Sequence, residues 1–416
     1  MPSLSILMLT TNVDAGAGRA ALRHHRGLLS SGYDSELWYL EGSTSEIGCR
    51  RISTLWLAAS RWPRKRLRKF AAKYLADPEP GFKSLSIFPS GLVGRINSHC
   101  CDIVQLNWIC DFLSIADIGK ISKPIVWRFS DMWPLLGTQH YREGDLRFYL
   151  SRDQNIKDLS NQSSEPRWLD RWIWNQKKNA WTKRIVVCTP SSWLTSLTRR
   201  SPLSKKWAIF TTGTHIDTDL YKPSRYLSSH QSIAVPDRRP LVIFGSRNLR
   251  DRRKGMDLML RALDLISEQA EVRFAAFGAG FHCELRERNV IQMGEITSEL
   301  ALASLLSQAT VLVIPSRQDN LPQLALEALS CGCPVVGFNI GGISDLVKPG
   351  INGRLAEPFL PESLAQEVIE LIHDDNYELV RERSRAFAEE NFSVAHVMGA
   401  YRLAYETAIS TSATSE

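Results

Sequence analysis

Short apolar stretches alternate with amphipathic stretches along both halves of the chain, and this alternation limits the possible folds more than any other feature. In the first half, strand-like runs at residues 5–11 and 35–40 flank a run with helical spacing at 19–29, and further strand-like runs follow at 103–106, 124–128 and 185–188. The second half repeats the order, with strand-like runs at 240–244, 272–278, 311–315 and 334–338 and helix-like runs at 256–267, 298–307, 321–330 and 362–373. Strands that alternate with helices predict parallel sheets built from βαβ units, and therefore an α/β protein.

Each half contains enough of these units for one doubly wound domain. The chain has 416 residues, which suits two or three domains of about 100–200 residues each. Residues 221–240 contain Pro and Ser and are the expected linker, so we predict domains at residues 1–225 and 238–390. A helix at about residues 393–408 is expected to pack back on the first domain.

Composition excludes several classes of protein. Apolar residues make up 44% and charged residues 23% of the chain, which excludes a disordered or fibrous protein. No apolar run approaches the roughly 18 residues of a membrane span, and the N-terminus lacks the pattern of a secretion signal, so we expect a cytoplasmic protein. The eight cysteines lack the spacing of a zinc site and predict reduced thiols.

The charge is divided unevenly between the two halves. Residues 1–230 carry a net charge of +14, whereas residues 231–416 carry −7. A basic first domain is typical of proteins whose partner is a nucleic acid, a membrane surface or an anionic substrate.

A glycine-rich turn follows the first predicted strand. Gly16 and Gly18 precede Arg19 in a Gly-Ala-Gly-Arg-Ala-Ala sequence that opens a predicted helix. Glycine lets a phosphate group approach the backbone, and the unpaired N–H groups at a helix N-terminus bind anions. A tight turn that needs glycine only for its backbone angles explains the same residues.

A basic cluster follows the first predicted strand of the second half. Residues 247–254 hold five Lys and Arg side chains, from Arg247 to Lys254, directly before a predicted helix. Cations that converge on a helix start can bind a diphosphate. A solvated charge run is the usual alternative, but the carboxyl end of a strand, where α/β sheets bind ligands, favours a site.

Two acidic residues eight positions apart form the third motif. Asp319 is expected in the loop before a helix and Glu327 two turns inside that helix, so that both can face one cleft. Carboxylates accept hydrogen bonds from the hydroxyl groups of sugars and riboses. The alternative is an N-capping Asp319 with a surface Glu327.

The segment around these acids resembles the signature of retaining glycosyltransferases of family 4. That signature is Pro-Ser, an acid, seven residues, and then Glu-Ala-x-x-x-Gly-x-Pro-Val-Val, and this chain has the same order from Pro315 to Val336. The Asp-Asn-Leu-Pro sequence that starts at Asp319 resembles the colanic-acid or capsular polysaccharide subgroup. Further matching motifs follow in order along nearly the whole chain, from the glycine-rich turn to Gly341-Gly342.

The resemblance implies a GT-B fold, in which two Rossmann-like domains face each other across a cleft. The first domain would bind the acceptor, a glycan or lipid-linked saccharide, and the second would bind a nucleotide-sugar donor. The reaction would retain the anomeric configuration, serve surface polysaccharide biosynthesis, and need no metal ion or other cofactor.

The resemblance also implies roles for particular residues. Glu327 would hold the ribose, Asp319 the donor sugar, and Lys254 the diphosphate. The candidates for a second cation are Arg247, Arg250 and Arg252, of which we favour Arg247. The implied donor-binding residues are Gly16, Gly18, Arg19, Lys254, Asp319, Asn320, Leu321 and Glu327. The implied catalytic residues are Lys254, Arg247, Asp319 and Asp131.

The acceptor side departs from the family pattern. Relatives often have histidine where this chain has Ser130. Relatives also tend to have His-Leu-His before the tryptophan that corresponds to Trp108, whereas this chain has Gln105-Leu-Asn107. Either the acceptor chemistry has changed or the activity is reduced, and Asp131 becomes the expected contact to the acceptor hydroxyl, with a capping Asp as the alternative. The implied acceptor-side residues are Asn107, Trp108, Asp131, Trp133 and His140.

A basic amphipathic segment runs from Ser53 to Leu75 and is interrupted at Pro63. Its tryptophans and cations predict contact with an anionic membrane surface, which would bring the protein to a lipid-linked acceptor on the cytoplasmic face. A solvated basic helix that covers the first domain is the alternative.

Three other functions compete with glycosyl transfer. The glycine-rich turn alone would suit a dinucleotide-dependent oxidoreductase, but that function leaves Lys254, Asp319 and Glu327 unexplained. A nucleotide-sugar epimerase of similar architecture would need acidic catalytic residues that the sequence does not identify. A nucleic-acid-binding protein fits the basic first half, but no RNA- or DNA-binding signature is present and the second half is acidic, so we expect no nucleic-acid partner.

Overall fold

The computed structural model describes residues 4–14, 16–76, 81–142, 146–150, 166–223, 239–280 and 283–413. The chain forms two compact units, Met1–Thr214 with Val397–Glu416, and His215–His396. The predicted linker at 221–240 falls largely on residues 224–238, which lie outside the described residues.

The first unit is built on a parallel sheet with the order β3-β2-β1-β4-β5-β6-β7 within the described residues. The strands are β1 (Ser5–Asn12), β2 (Asp34–Glu41), β3 (Cys49–Arg51), β4 (Ile103–Leu106), β5 (Ile125–Arg128), β6 (Val186–Thr189) and β7 (Ala208–Thr211). The helices between them are α1 (Gly16–Ser30), α2 (Leu55–Tyr74), α3 (Val93–Asn97), α4 (Ile115–Lys120), α5 (Trp168–Ala180) and α6 (Ser192–Arg200). The order reverses between β1 and β4, which is the point where open α/β sheets bind ligands.

The second unit has a parallel sheet with the order β10-β9-β8-β11-β12-β13 within the described residues. Its strands are β8 (Leu241–Asn248), β9 (Arg273–Ala279), β10 (Ile291–Gln292), β11 (Val311–Ile314), β12 (Val335–Phe338) and β13 (Gly353–Ala356). Its helices are α7 (Met256–Gln269), α8 (Cys283–Glu287), α9 (Glu299–Gln308), α10 (Gln323–Ser330), α11 (Ile343–Leu346), α12 (Pro361–Ile372) and α13 (Tyr377–Phe392). Here the order reverses between β8 and β11.

Both faces of the second sheet are covered. Leu241 and Ile243 of β8 belong to one apolar cluster, whereas the intervening Val242 and the following Phe244 belong to another. Successive side chains of a strand point to opposite faces, so these runs are apolar throughout because each face packs against helices. The prediction of an α/β protein with two doubly wound, Rossmann-like domains is confirmed.

The boundary between the units differs from the predicted position at residue 225. Ile216 and Tyr221 are buried in the core of the second unit, and the Ile216 N–H donates to the Phe392 carbonyl at the end of α13. Residues 215–223 therefore belong to the second unit, because their apolar side chains are buried there.

The last helix, α14 (Val394–Ala413), packs in the first unit over most of its length. The hydroxyl of Tyr405 donates to Gln105 Oε1 at 2.5 Å, and it also lies 3.1 Å from the Nε2 atom of His24. The chain thus returns to its first unit after completing the second.

Helix α2 is continuous through Pro63, although the sequence predicts an interruption there. Thr54 caps its start by accepting a hydrogen bond from the Leu57 N–H, and the Arg64 guanidinium donates to the carbonyls of Asp111, Phe88 and Pro89. These attachments hold both halves of the helix in one direction despite the backbone donor lost at proline. Among the described helices, none is both long enough and apolar enough to cross a lipid bilayer.

Candidate functional site

Two loops of the second unit meet where its strand order reverses. A 3₁₀ turn at Arg252–Lys254 follows β8, and the loop that contains Asp319 follows the neighbouring β11. The Lys254 Nζ atom lies 2.5 Å from the Asp319 Oδ2 atom, and Arg253 Nη1 lies 3.9 Å from the same oxygen. The structure therefore joins the predicted basic cluster to the predicted acid.

Glycines allow this close approach. Gly255 has a φ of 68°, and a Cβ atom there would lie 1.8 Å from the Pro315 carbonyl oxygen. A Cβ atom on Gly341, whose φ is 54°, would lie 2.1 Å from the Asp319 carbonyl oxygen. Larger residues at either position would push apart the loops that hold Lys254 and Asp319.

Asp319 is a buried carboxylate with cationic neighbours. Burial by itself raises the pKa of Asp319, but the charges of Lys254 and Arg253 and the hydrogen bonds from Lys254 and the Asn320 N–H outweigh burial, so its pKa lies below the ordinary value. The Asp319 side chain is therefore ionised at neutral pH. It holds a lysine whose own side chain is 27% exposed and can reach a ligand.

Glu327 is also buried, at 8% exposure, in the second turn of α10. The residue that caps α10 is Pro322, so Asp319 is not the helix cap. This excludes the alternative of a capping Asp319 with a surface Glu327. Asn320 and Leu321 are buried between the two acids, whereas Arg247 is exposed at the carboxyl end of β8.

The glycine-rich turn lies at the start of α1 in the first unit. A Cβ atom on Gly18 would lie 1.7 Å from the Asn12 carbonyl oxygen, so this glycine is required for the packing of α1 on β1. Gly16 has no atom within 4 Å of the corresponding position, and Arg19 is exposed in the first helical turn. The packing of α1 on β1 explains why residue 18 is a glycine. Gly16 and Arg19 remain available to a ligand.

Four of the predicted acceptor-side residues are joined by hydrogen bonds that meet at Asp131. Asp131 Oδ2 accepts hydrogen bonds from His140 Nδ1 at 2.6 Å and from Trp108 Nε1 at 3.0 Å, and its Oδ1 accepts from the Trp133 N–H. His140 Nε2 lies 2.9 Å from Ser84 Oγ. The Asp131 carboxylate is therefore engaged in fixing the loop and the Trp108 ring, which differs from the expected contact to an acceptor hydroxyl.

Two further residues expected to face the acceptor are also internal. Asn107 is 2% exposed, and its Nδ2 atom donates a hydrogen bond to the Leu9 carbonyl. Trp133 is 1% exposed, and its indole N–H donates a hydrogen bond to the Ser84 carbonyl. Among the predicted acceptor-side residues, Trp108 is the one that lines an open cavity of about 870 Å³.

The cavity was not apparent from the sequence, because its lining comes from five separate segments. It lies within the first unit beside the carboxyl ends of β1 and β2, the residues after β4, and α2. Besides Trp108, its lining includes Thr11, Asn12, Leu40, Glu41, Arg51, Ser53, Leu57, Ala58, Arg64, Lys65, Phe82 and Asp111. The spacing of these residues along the chain does not predict that they line one cavity.

A buried lysine supports the loop below this network. Lys177 of α5 donates to the carbonyls of Trp133, Leu136 and Gly137, and its ammonium lies 3.8 Å from the centre of the Trp133 ring. Burial lowers the pKa of Lys177 to about 7. This residue was missed in the sequence because it occurs in a polar, Trp-rich helix without a recognisable motif.

The described residues contain no cluster of three or more His, Cys, Asp or Glu side chains arranged to hold a metal ion. Asp217, in an Asp-Thr-Asp sequence, accepts hydrogen bonds from the N–H groups of Asp219 and Leu220 and so stabilises a local turn.

The match to a protein family lies within the second unit. Residues 239–374 match the family described as Glycosyl transferases group 1. An uncharacterized glycosyltransferase of Methanocaldococcus jannaschii is 28% identical over 161 residues, which is 37% of this chain and 44% of that protein. D-inositol 3-phosphate glycosyltransferase 1 of Catenulispora acidiphila is 27% identical over 215 residues, which is 46% of this chain and 50% of that protein. The chain thus spans about half the length of these curated relatives.

The solved structures extend the similarity of fold to both units. The Anabaena protein HepE in complex with UDP-glucose has a TM-score of 0.64 and 15% sequence identity, covering 97% of this chain and 99% of that chain. At this identity the similarity concerns the fold, which is that of GT-B glycosyltransferases with two parallel-sheet domains.

Proposed function

We propose that this protein is a glycosyltransferase that moves a sugar from a nucleotide-sugar donor to a saccharide acceptor. The observation that carries the proposal is the Lys254–Asp319 pair at the strand reversal of the second unit, followed by the buried Glu327 in the helix after the Asp319 loop. This arrangement lies within the segment that matches Glycosyl transferases group 1. A dinucleotide-dependent oxidoreductase gives no reason for a cation and two carboxylates at this position.

The charges suit the chemistry of a diphosphate leaving group. In the proposed reaction, Lys254 and Arg247 stabilise the negative charge that develops on the diphosphate, and Glu327 accepts hydrogen bonds from the ribose. Asp319 holds the Lys254 ammonium in place and accepts hydrogen bonds from the donor sugar. Cationic side chains perform the electrostatic task, so the proposed reaction uses no metal ion.

The finer assignment to retaining family 4 enzymes of surface polysaccharide synthesis rests on the resemblance of residues 315–336 to their signature. We propose transfer with retention by front-face attack, with a donor phosphate oxygen as the base. The acceptor is proposed to be a glycan or a lipid-linked saccharide bound by the first unit. Among the relatives, the names of the inositol phosphate enzymes specify a phosphorylated acceptor for those proteins.

A thermal-shift screen tests the donor class. UDP-, GDP-, ADP- and dTDP-sugars and NAD(P) are each added to the wild-type chain and to Glu327→Ala. A ligand that binds only the folded state at about 100 times its Kd adds about 2.7 kcal/mol to the free energy of unfolding. We expect one nucleotide-sugar class to raise the Tm of the wild-type chain, and the shift to be lost in Glu327→Ala because the ribose contact is gone.

Glu362→Ala, which removes a carboxylate in the first turn of α12, is the control and should keep the shift. A Tm increase with NAD(P) that Glu327→Ala leaves unchanged would support an oxidoreductase and contradict the transferase.

We also propose that helix α2 contacts the anionic cytoplasmic face of a membrane. Trp62, Phe70 and Tyr74 are 67%, 54% and 55% exposed. Phe70 follows Trp62 by eight residues and Tyr74 follows Phe70 by four, so the three rings lie on one side of the helix. Arg66 lies on the same face with its guanidinium 4.8 Å from the centre of the Trp62 ring. The helix contains no acidic residue. Aromatic rings among cations suit the interface of an anionic bilayer.

Vesicle sedimentation tests this contact. The chain should sediment with vesicles of phosphatidylcholine and phosphatidylserine, less so at high salt, and far less with phosphatidylcholine alone. Trp62→Ala/Phe70→Ala should weaken binding about tenfold or more, because each buried aromatic contributes about 1.5–3 kcal/mol. Trp168→Ala, an equally exposed tryptophan of α5, is the matched control. Equal losses in both variants, or no sedimentation, would favour the solvated basic helix instead.

A further inference from the structure

The cavity of the first unit has an aromatic side. The rings of Phe82 and Trp108 have centres 5.7 Å apart, and Phe82 is 46% exposed. Trp108 cannot turn freely because its indole N–H donates to Asp131, which is itself held by His140. A fixed aromatic surface beside an open cavity offers a flat apolar partner to the C–H face of a sugar ring.

The same cavity contains hydrogen-bond acceptors for sugar hydroxyl groups. The carboxylate-bearing residues Glu41 and Asp111 line it. Asp111 has a φ of 66°, an uncommon backbone conformation that is held by the bonds from Arg64 to its carbonyl and from its own N–H to Ser86. The backbone of this cavity-lining residue is thus held in place.

Cations reach the cavity from two different elements. Arg51, the last residue of β3, and Lys65 of α2 both line it, and both are exposed. Arg51 Nε donates to the Leu40 carbonyl, and within the described residues neither cation forms an ion pair with a carboxylate. Arg64 adds a third positive charge at the cavity wall, although its guanidinium is occupied by main-chain carbonyls. The three cations exceed the two carboxylates, and the absence of acidic residues from α2 makes the local potential positive.

We propose that this cavity binds a glycosyl phosphate, that is, a saccharide that carries a phosphate group on its anomeric carbon. The sugar ring lies on Trp108 and Phe82, and the phosphate binds Arg51 and Lys65. This proposal rests on the proposed function, because it names the chemical class of the acceptor. The group can belong to a free sugar phosphate or to a sugar joined by phosphate to a lipid carrier.

Binding is measured by calorimetry on the full-length Lys254→Met variant, so that the proposed donor site does not bind the phosphate of the probe. The probes are glucose 1-phosphate and galactose 1-phosphate, the two free hexoses, and inorganic phosphate. At least one hexose phosphate should bind about tenfold or more tightly than its free hexose and than inorganic phosphate, because each of these lacks one half of the contacts. A hexose phosphate that binds no better than inorganic phosphate overturns the proposal.

Two substitutions locate the binding. Arg51→Gln/Lys65→Gln should reduce hexose phosphate affinity to that of the free hexose, and Phe82→Ala should weaken both by a similar factor. The matched control is Lys205→Gln/Lys206→Gln, which removes two exposed cations of the first unit at positions outside the cavity lining. Equal loss in the control would assign the effect to general surface charge and overturn the proposal.

The source of the phosphate is tested with the farnesyl ester of the hexose phosphate that binds, used below its micelle concentration. Tighter binding of the ester identifies a lipid carrier, whereas equal binding identifies a free sugar phosphate, and both support the proposed chemistry. Failure of the nucleotide-sugar screen together with intact hexose phosphate binding would reject the transferase but keep this site. Success of that screen without hexose phosphate binding would reject this site alone.

Discussion

Replacing Lys254 by Met should lower kcat/KM for glycosyl transfer about 100- to 1,000-fold, the usual effect of removing a charge-stabilising donor from an active site. The Lys254 ammonium lies where two loops meet, 2.5 Å from a carboxylate that remains ionised. Loss of the cation removes the stabilisation of the departing diphosphate. The rate of release of the nucleoside diphosphate, in the presence of the donor found in the nucleotide-sugar screen, measures the effect.

The same substitution leaves the buried Asp319 carboxylate without its closest partner, which itself costs stability. Lys254→Met/Asp319→Asn removes this charge imbalance and is expected to restore the Tm but not the activity. Lys254→Arg keeps the charge and should retain part of the rate. Arg261→Gln, an exposed cation of the neighbouring α7, should leave the rate unchanged. If the double variant regains activity along with its Tm, Lys254 has a structural role only.

Replacing Lys177 by Met should lower the free energy of unfolding by about 2–4 kcal/mol, because three buried carbonyls lose the donor that they share. Those carbonyls, of Trp133, Leu136 and Gly137, belong to the segment that also contains Asp131 and His140. Urea unfolding followed by circular dichroism measures the change. Lys178→Met, at the exposed neighbouring position of α5, should have little effect.

The effect should also depend on pH. The pKa of Lys177 is about 7 in the folded protein because of burial, whereas an unfolded lysine has a pKa of about 10.4. Between these values the unfolded chain binds a proton that the folded chain does not, so the Lys177 contribution to the free energy of unfolding rises with pH. The difference between wild type and Lys177→Met should therefore be larger at pH 9.5 than at pH 6.5. A difference that is constant or shrinks over this interval contradicts the burial of a titrating lysine.

Strand and helix patterns in the sequence located most of the elements that form the two sheets. The central strands were found because both of their faces are buried, which makes their sequences apolar throughout, as in Val311–Ile314. Short strands escaped notice where their side chains are partly exposed, as in Cys49–Arg51 and Ala208–Thr211. The helix Tyr377–Phe392 was also missed, because few of its side chains are buried and its pattern is weak.

The spacing of residues along the chain was sufficient to predict the site in the second unit, but it was insufficient to predict the cavity in the first unit. Lys254 and Asp319 each follow a strand at the sheet reversal, and the carboxyl ends of parallel neighbours meet at one edge, so their proximity follows from the βαβ order. Asp131 also had a recognisable motif, but nothing in the sequence indicated that its carboxylate would bind Trp108 and His140.

The sequence by itself determined the α/β class, the division into two doubly wound units and the residues at the strand reversal of the second unit, because these depend on periodicity and on chain order. Only the tertiary structure decided which polar side chains are internal and which reach a ligand. Asp131 is buried among hydrogen-bond donors, whereas Arg51 and Lys65, from segments without a shared motif, line one cavity. Burial and the meeting of distant segments depend on packing in three dimensions, and a pattern along the chain does not record them.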